Sequence, residues 1–391
     1  MPTLPLAGIR VVEFAHMVMG PTCGLVLADL GADVIKVEPA PDGDNTRRLS
    51  GSGAGFFALS NRNKRSLAVD LKAPDGMALV RRLLATSDAL VENFRPGAMD
   101  KLGLGWAEMH ALNPRLIYCS CKGFLPGPYE HRVALDEVVQ MMGGLAYMTG
   151  DPGRPLRAGS SVNDIMGGVF GAVGILAALN ERHATGLGRH VQSALFENNV
   201  LLVAQHMAQF AVTGEEAAPM SQRRPAWPIY DIFSTSDGQV FVGVVTDTQW
   251  KLFCQAFGLD DLAADPGLAT QRQRVKQRAR TLPRAAEAFK AYTRAALMEK
   301  CDALGLPYAP IVRPVELFDD PHLNHSDGLL ALTLPDGRRT KLPALPLALD
   351  GMRLGVRLDL PSVGQHDAEV ASELGYSAAE VAALRAAGVL V

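Results

Sequence analysis

The carboxylate of Asp164 stands in the run Ser160-Ser161-Val162-Asn163-Asp164-Ile165-Met166-Gly167-Gly168, immediately before an apolar, glycine-rich stretch. At the head of a helix an aspartate serves as N-cap, accepting the orphan amides of the first turn. The same placement suits chemistry, because the amides and the helix dipole favour the charged form. An ionised carboxylate can act as a covalent nucleophile without a general base. Gly167 and Gly168 would let another chain or a thioester approach closely.

Polar residues also gather where strands are expected to end. Asn61-Arg62-Asn63-Lys64-Arg65-Ser66 precedes one expected strand, Glu92-Asn93-Phe94-Arg95-Pro96-Gly97 follows another, and Lys122-Gly123-Phe124 follows a third. Any one of them reads as a solvated turn. Three basic or amide-bearing turns in one domain suit a phosphorylated ligand, with lysine and arginine supplying charge and asparagine paired donors and acceptors. Generic motifs are weak or missing. Gly51-Ser52-Gly53-Ala54-Gly55 lacks the flanking strand and helix of a dinucleotide site, and GxxxxGK[ST], HExxH and GxSxG do not occur. His322 and His325 lie in a Pro/Asp/Asn loop without an obvious third ligand, so no metal site is expected.

The elements that must position these residues alternate in period. Ile9–Phe14, Asp33–Val37, Leu67–Leu71, Ala89–Val91 and Leu116–Ser120 read as strands, with helices over Pro21–Leu30 and Asp75–Ala85. Strands alternating with helices predict an α/β unit with a mainly parallel sheet, and such sheets bind ligands beyond the C-terminal ends of their strands. Residues 134–150 and 164–182 read as helices rich in Gly, Ala and Met. From Gly188 a strand-like start runs into a long helix, and Pro219–Pro228 reads as a linker. Gly238–Val245 reads as a strand opening a second region, with helices near 248–257 and 282–304 and a helical tail at 377–388.

The chain has 391 residues, which suggests two domains or one large domain with an insertion. Hydrophobic residues make up 48% and charged residues 20%, enough for a sizeable core. The charge balance, 38 − 41 = −3, argues against a broad nucleic-acid footprint. The five cysteines are scattered without CxxC, which favours a reducing cytosol over a disulfide framework. MPTLPLAGIRVVEF lacks a basic leader followed by a long apolar stretch, and the apolar run Ile165–Leu179 falls short of the roughly 18–20 residues of a spanning helix. A soluble, cytoplasmic protein without a membrane partner is expected.

Taken in order, GIRVVEFAHMVMGPTCGLVLADLGADVIKVEP, NRNKRSLAVDLK, ENFRPGAMDKLGLG, LNPRLIYCSCKGF, the Asp164 segment, TGLGRHVQSALFE and the closing GQHDAEVASELGYSAAEVAALRAAGVL resemble the class III CoA-transferases. That family also contains α-methylacyl-CoA racemases. The resemblance spans nearly the whole chain. It implies an interlocked homodimer of an α/β fold, with a Rossmann-like large domain and a smaller α+β domain. The large domain would comprise 1–215 and, after a return linker, the C-terminal part of 326–391; 216–228 would be a linker and 229–325 the small domain. It implies no tightly bound cofactor, coenzyme A entering as a substrate moiety. Asp164 falls on the family's catalytic aspartate. Asn93, Phe94, Lys101 and Lys122 fall on positions lining the CoA cleft, Lys64 and Arg65 on a basic turn near the nucleotide, and His16 on a histidine beside the reacting thioester. Arg95 joins this set of phosphate-binding candidates. The formyl-transferase pattern departs at three places: Val18 replaces a glutamine, a glycine loop over the aspartate is absent, and Pro39 replaces an arginine at the adenine end.

The expected reaction is transfer of CoA from an acyl-CoA, such as succinyl-CoA, to a small carboxylic acid through an aspartyl anhydride and an aspartyl-CoA thioester. A racemase is the alternative, and needs two proton-transfer groups, but Leu135 occupies the place of the racemase histidine and His131 lies elsewhere. A non-catalytic acyl-CoA-binding subunit is a further alternative, against which the retained Asp164 weighs. KGFLPGPYEHRVALDEVVQMMGGLAYMTG resembles the branch that handles C4–C5 dicarboxylates. Arg47, Arg48, Arg132 and Arg157 are candidates for pairing the second carboxylate of such an acceptor.

Overall fold

Val11, Val12 and Phe14 alternate with each other's faces along Arg10–Phe14 (β1), and both faces are buried, as in a sheet covered by helices on both sides. A computed structural model describes residues 4–223 and 225–391. β1 is joined by Asp33–Pro39 (β2), Lys64–Val69 (β3), Ala89–Glu92 (β4), Ile117–Lys122 (β5) and His190–Ala194 (β6) in one parallel sheet of order β3-β2-β1-β4-β5-β6. The strand order reverses between β1 and β4, the point at which doubly wound sheets open a ligand crevice. Phe14 is in register with Glu92, so the two strands end level and the segments from Ala15 and Asn93 line that crevice.

The crevice is set by what lies on the sheet. Helix α1 (Met19–Asp29) is buried along its whole length. One side of it faces the sheet and the other the Val162–Thr185 helix. That second helix is long and apolar enough, by length and composition, to cross a membrane, which the shorter run Ile165–Leu179 did not suggest. In this fold it packs on α1, β5 and β6. A second core on the opposite face joins the Pro74–Ala85 helix to the chain's last two helices, Asp367–Glu373 and Ala378–Ala386.

The chain divides into two units: the residues up to Ser221 with Pro321–Val391, and Gln222–Asp320. The cuts fall earlier than the expected bounds of 229 and 325. The second unit has its own antiparallel sheet of Ile229–Ser234 (β7), Gln239–Val244 (β8) and Tyr308–Pro310 (β9), over a core containing Trp250, Phe253 and Phe289.

Several elements differ from the sequence expectation. β3 begins at Lys64 rather than Leu67, so the supposed basic turn is strand. The 134–150 helix is broken into Asp136–Met142 and Leu145–Thr149, with Gly144 at φ +87° between them. The 282–304 helix is two, Arg278–Phe289 and Arg294–Ala303. The strand Ile229–Ser234 was not anticipated.

Candidate active site

Ala15–Val18 connects β1 to α1 at the crevice. Asn93, the first residue after β4, meets it: the His16 N–H donates to Asn93 Oδ1 (3.1 Å) and Asn93 Nδ2 donates to the His16 carbonyl (2.8 Å). The imidazole of His16 lies 5.6 Å, centroid to centroid, from the Phe94 ring. Desolvation by the crevice holds the His16 pKa below the ordinary histidine value, with Asp44 acting in the opposite sense. Val18 is buried at the N-cap of α1 and offers no side-chain acceptor there.

The segments after β4 and β5 carry the other crevice cations. Lys122 pairs with buried Glu92 (2.6 Å), whose other oxygen accepts the Phe94 N–H (2.9 Å). Arg95 and Lys101 are exposed, and their side chains have no ion-pair or hydrogen-bond partner among the described residues. Lys122 Nζ also reaches the Phe94 carbonyl (3.4 Å), so Lys122 and Phe94 meet beside Asn93 at the ends of β4 and β5. Lys64 and Arg65 do not join them. Lys64 Nζ is fully buried and bonds Glu13 (2.7 Å), the Pro21 carbonyl (2.9 Å) and Asn61 (3.2 Å). Arg65 is held by Asp33 (2.6 Å), Glu373 (2.7 Å) and Glu369 (3.0 Å). Both are corrected from phosphate ligands to structural cations, because their donors are already occupied inside the fold.

Asp164 is the third residue of the Val162–Thr185 helix, not its N-cap; Ser161 takes that position without a side-chain bond. Gly167 and Gly168 serve α1 rather than a thioester. A Cβ on Gly168 would meet the Met19 carbonyl, Thr22 and the Cys23 amide, and one on Gly167 would meet Met19 and Asn198. Gly167 thus lies opposite Met19 and Gly171 opposite Cys23. The helix that carries Asp164 thus packs by its glycines on the first turn of α1, which follows the His16 segment.

The Asp164 carboxylate is half-buried and accepts no hydrogen bond among the described residues. Burial, and then the neighbouring Asp136 carboxylate, push its pKa up to about 7, against the pull of Arg157. This corrects the expectation of a fully ionised group: desolvation outweighs the helix terminus. Asp136 was not singled out in the sequence. Its carboxylate accepts the Asn163 N–H (2.8 Å) and the Gln140 side-chain amide (2.6 Å), and Gln140 accepts the Ala158 N–H (2.8 Å). A residue outside the helix therefore caps its first turn.

The four candidate arginines separate. Arg47 is bound by both oxygens of Glu38 (2.6 and 2.8 Å) and by the Pro361 carbonyl, and stacks on Phe57. Arg48 bonds within its own loop, to Asp42, Gly43 and Asn45. Arg132 lies over Tyr129, 5.0 Å from the ring centroid. Arg157 pairs with Glu137 and is electrostatically coupled to Asp164. Arg47 is corrected as an acceptor ligand because Glu38 fills its fork, whereas exposed Arg48 has no carboxylate partner among the described residues; Arg157 is the one whose charge reaches Asp164.

A doubly wound parallel sheet, with His16 and Asn93 joined at its switch point, places the chain among the α/β proteins that bind at the C-terminal strand ends. The model of CoA-transferase family III matches residues 6–367, and the chain belongs to that family and is a CoA-transferase. It is 34% identical over 384 residues to a succinate–glutarate CoA-transferase of Agrobacterium fabrum, covering 95% of this chain and 96% of the relative. It is 35% identical over 398 residues to a succinyl-CoA–D-citramalate CoA-transferase of Chloroflexus aurantiacus, covering 100% and 99%. A CAIB/BAIF family protein from Brucella suis has a similar structure, with TM-score 0.84, 34% identity, and coverage of 95% of this chain and 100% of that one.

Proposed function

We propose that this CoA-transferase moves CoA from a short dicarboxylyl-CoA, such as succinyl-CoA, to a C4–C5 dicarboxylate, with Asp164 as the covalent carrier. The Asp164 carboxylate attacks the donor's thioester carbonyl and expels CoA thiolate, leaving a mixed anhydride. The thiolate attacks the aspartyl carbonyl and releases the donor acid, leaving an aspartyl-CoA thioester. The acceptor carboxylate attacks that thioester, and the thiolate released then attacks the acceptor's acyl carbon and frees Asp164. The observation that carries this reading is the Asp164 carboxylate itself: half-buried, without a hydrogen-bond partner among the described residues, and on the helix whose glycines pack on the first turn of α1. The names of the two relatives support a dicarboxylate acceptor.

Asn93, Phe94, Arg95, Lys101 and Lys122 are the residues proposed to line the CoA site, and Arg157 to pair the distal carboxylate of the acceptor. A second copy of the chain belongs to this reading. Ile165, Val169, Phe170 and Val173 leave the Val162–Thr185 helix exposed on one face, and Met207 and Phe210 do so on the Leu195–Thr213 helix. Such a face suits a homodimer contact. The test of substrate class is a panel with succinyl-CoA as donor and acceptors of equal length. Dicarboxylates should exceed monocarboxylates in kcat/KM by at least about tenfold, or roughly 1.4 kcal/mol. A reversed order would remove the dicarboxylate reading and leave the transferase assignment standing.

A further inference from the structure

Four backbone polar atoms of Ala15, His16 and Met17 are each held by a side chain from another element. The Ala15 carbonyl accepts from Lys36 Nζ at 2.5 Å, both His16 groups bond Asn93, and the Met17 N–H donates to Thr46 Oγ1 at 2.9 Å. The two outer holders are linked. Asp44 pairs with Lys36 through one oxygen (2.8 Å) and accepts the Thr46 N–H through the other (2.8 Å). Lys36 also lies 3.5 Å from Glu13, which pairs with Lys64, and Lys64 reaches the Pro21 carbonyl in the first turn of α1. A continuous polar chain, Thr46–Asp44–Lys36–Glu13–Lys64, therefore runs beneath the turn.

All five residues are buried, none more than 5% exposed. Well-packed hydrophobic residues are often at least as stabilising as such ion pairs, so stability is a weak reason for this network. Its contacts instead fix a conformation the chain would not choose. Met17 has φ +64°, in the left-handed region that residues with a Cβ avoid. Relaxation of Met17 would turn His16 away from Phe94 and shift the start of α1, on which Gly167 and Gly168 of the Asp164 helix pack. Strain of this kind persists only where the surroundings over-determine it.

We propose that Lys36, Asp44 and Thr46 are positioning residues for CoA transfer: they hold Met17 in its left-handed conformation, and so set His16 against Phe94 and the first turn of α1 against the helix that carries Asp164. The inference rests on the reading of Asp164 as the reacting carboxylate.

The test compares Thr46→Val, Thr46→Ser and the double variant Thr46→Val/Met17→Gly, by amide hydrogen exchange of peptides spanning 14–20 and by steady-state kinetics. Valine keeps the shape and removes the acceptor for Met17, so T46V should speed exchange there and lower kcat, each by about tenfold, a lost hydrogen bond's worth. KM for the acyl-CoA should change less than kcat. T46S should recover most of both losses. Adding M17G to T46V should restore kcat at least halfway, because glycine adopts that φ without strain. If T46V does not fold, D44N, which removes the charge opposite Lys36, should show the same faster exchange and lower kcat. Wild-type exchange in the variants, equal impairment of T46V and T46S, or no recovery with M17G would overturn the proposal. Faster exchange with unchanged kcat would overturn it too. Failure of the Asp164 reading is distinguishable: an active Asp164→Ala enzyme would show it, while the exchange differences would persist.

Discussion

The carboxamide of Asn93 and the backbone of His16 exchange two hydrogen bonds across the point where the strand order reverses, tying the end of β4 to the end of β1. The two crevice walls are therefore joined through Asn93. An asparagine is needed for this because one side chain must both accept and donate. Asn93→Asp keeps the acceptor for the His16 N–H but sets a carboxylate oxygen against the His16 carbonyl. N93D should therefore be at least as damaging as N93A, each lowering kcat/KM about tenfold or more. An N93D enzyme that stays near wild type while N93A is impaired would contradict this.

Asp164 must be ionised to attack, and burial with Asp136 raises its pKa to about 7. The acid limb of kcat/KM, which reports the free enzyme, should then fall with decreasing pH near 7. Asp136→Asn removes the like charge and should move that limb to lower pH; Arg157→Ala removes a favourable charge and should move it higher. A pH profile between 5 and 9 that is the same in all three enzymes would show that Asp164 does not control the limb.

The same shift has a consequence for stability. A carboxyl whose folded pKa lies above its unfolded value of about 4 favours the folded state least when ionised. The cost is absent below about pH 4, grows as pH rises, and is complete above about 7. Asp164→Asn removes it. D164N should melt above wild type at pH 8, by roughly 1–2 kcal/mol of stability once solvent screening of the half-buried group is allowed for, and match it near pH 4. A gain independent of pH would contradict the assignment.

The buried and exposed cations should separate in two measurements. Lys64→Met leaves Glu13 facing Lys36 alone in the interior, so it should cost about 3–5 kcal/mol of stability. Arg95→Ala and Lys101→Ala remove exposed cations without partners among the described residues, so they should raise KM for the acyl-CoA while melting temperature stays within a degree or so. A normal melting curve for K64M, or an unchanged acyl-CoA KM in the R95A/K101A double variant, would contradict the division.

The parallel sheet was legible because β-branched strands alternate with amphipathic helices along the chain. The segment 61–66 misled because charge suggests solvent. Lys64 is tolerable inside β3 only because Glu13, distant in sequence, lies two strands away to neutralise it. Gly167 and Gly168 announced a close approach, but a glycine does not say what approaches, and here it is α1. Asp136 carried no local signal at all. Its role arises from the tertiary meeting of the Asp136–Met142 helix with the Asn163 amide.

The central claim, that Asp164 carries the transferred group, is tested most directly by trapping. The enzyme is incubated with succinyl-CoA and hydroxylamine without an acceptor, digested, and its peptides analysed by mass spectrometry. The account predicts a hydroxamate on Asp164 in wild type, dependent on succinyl-CoA and absent from D164A, which should be folded and inactive. An unmodified Asp164 in an enzyme that is turning over, or wild-type activity in D164A, would contradict it.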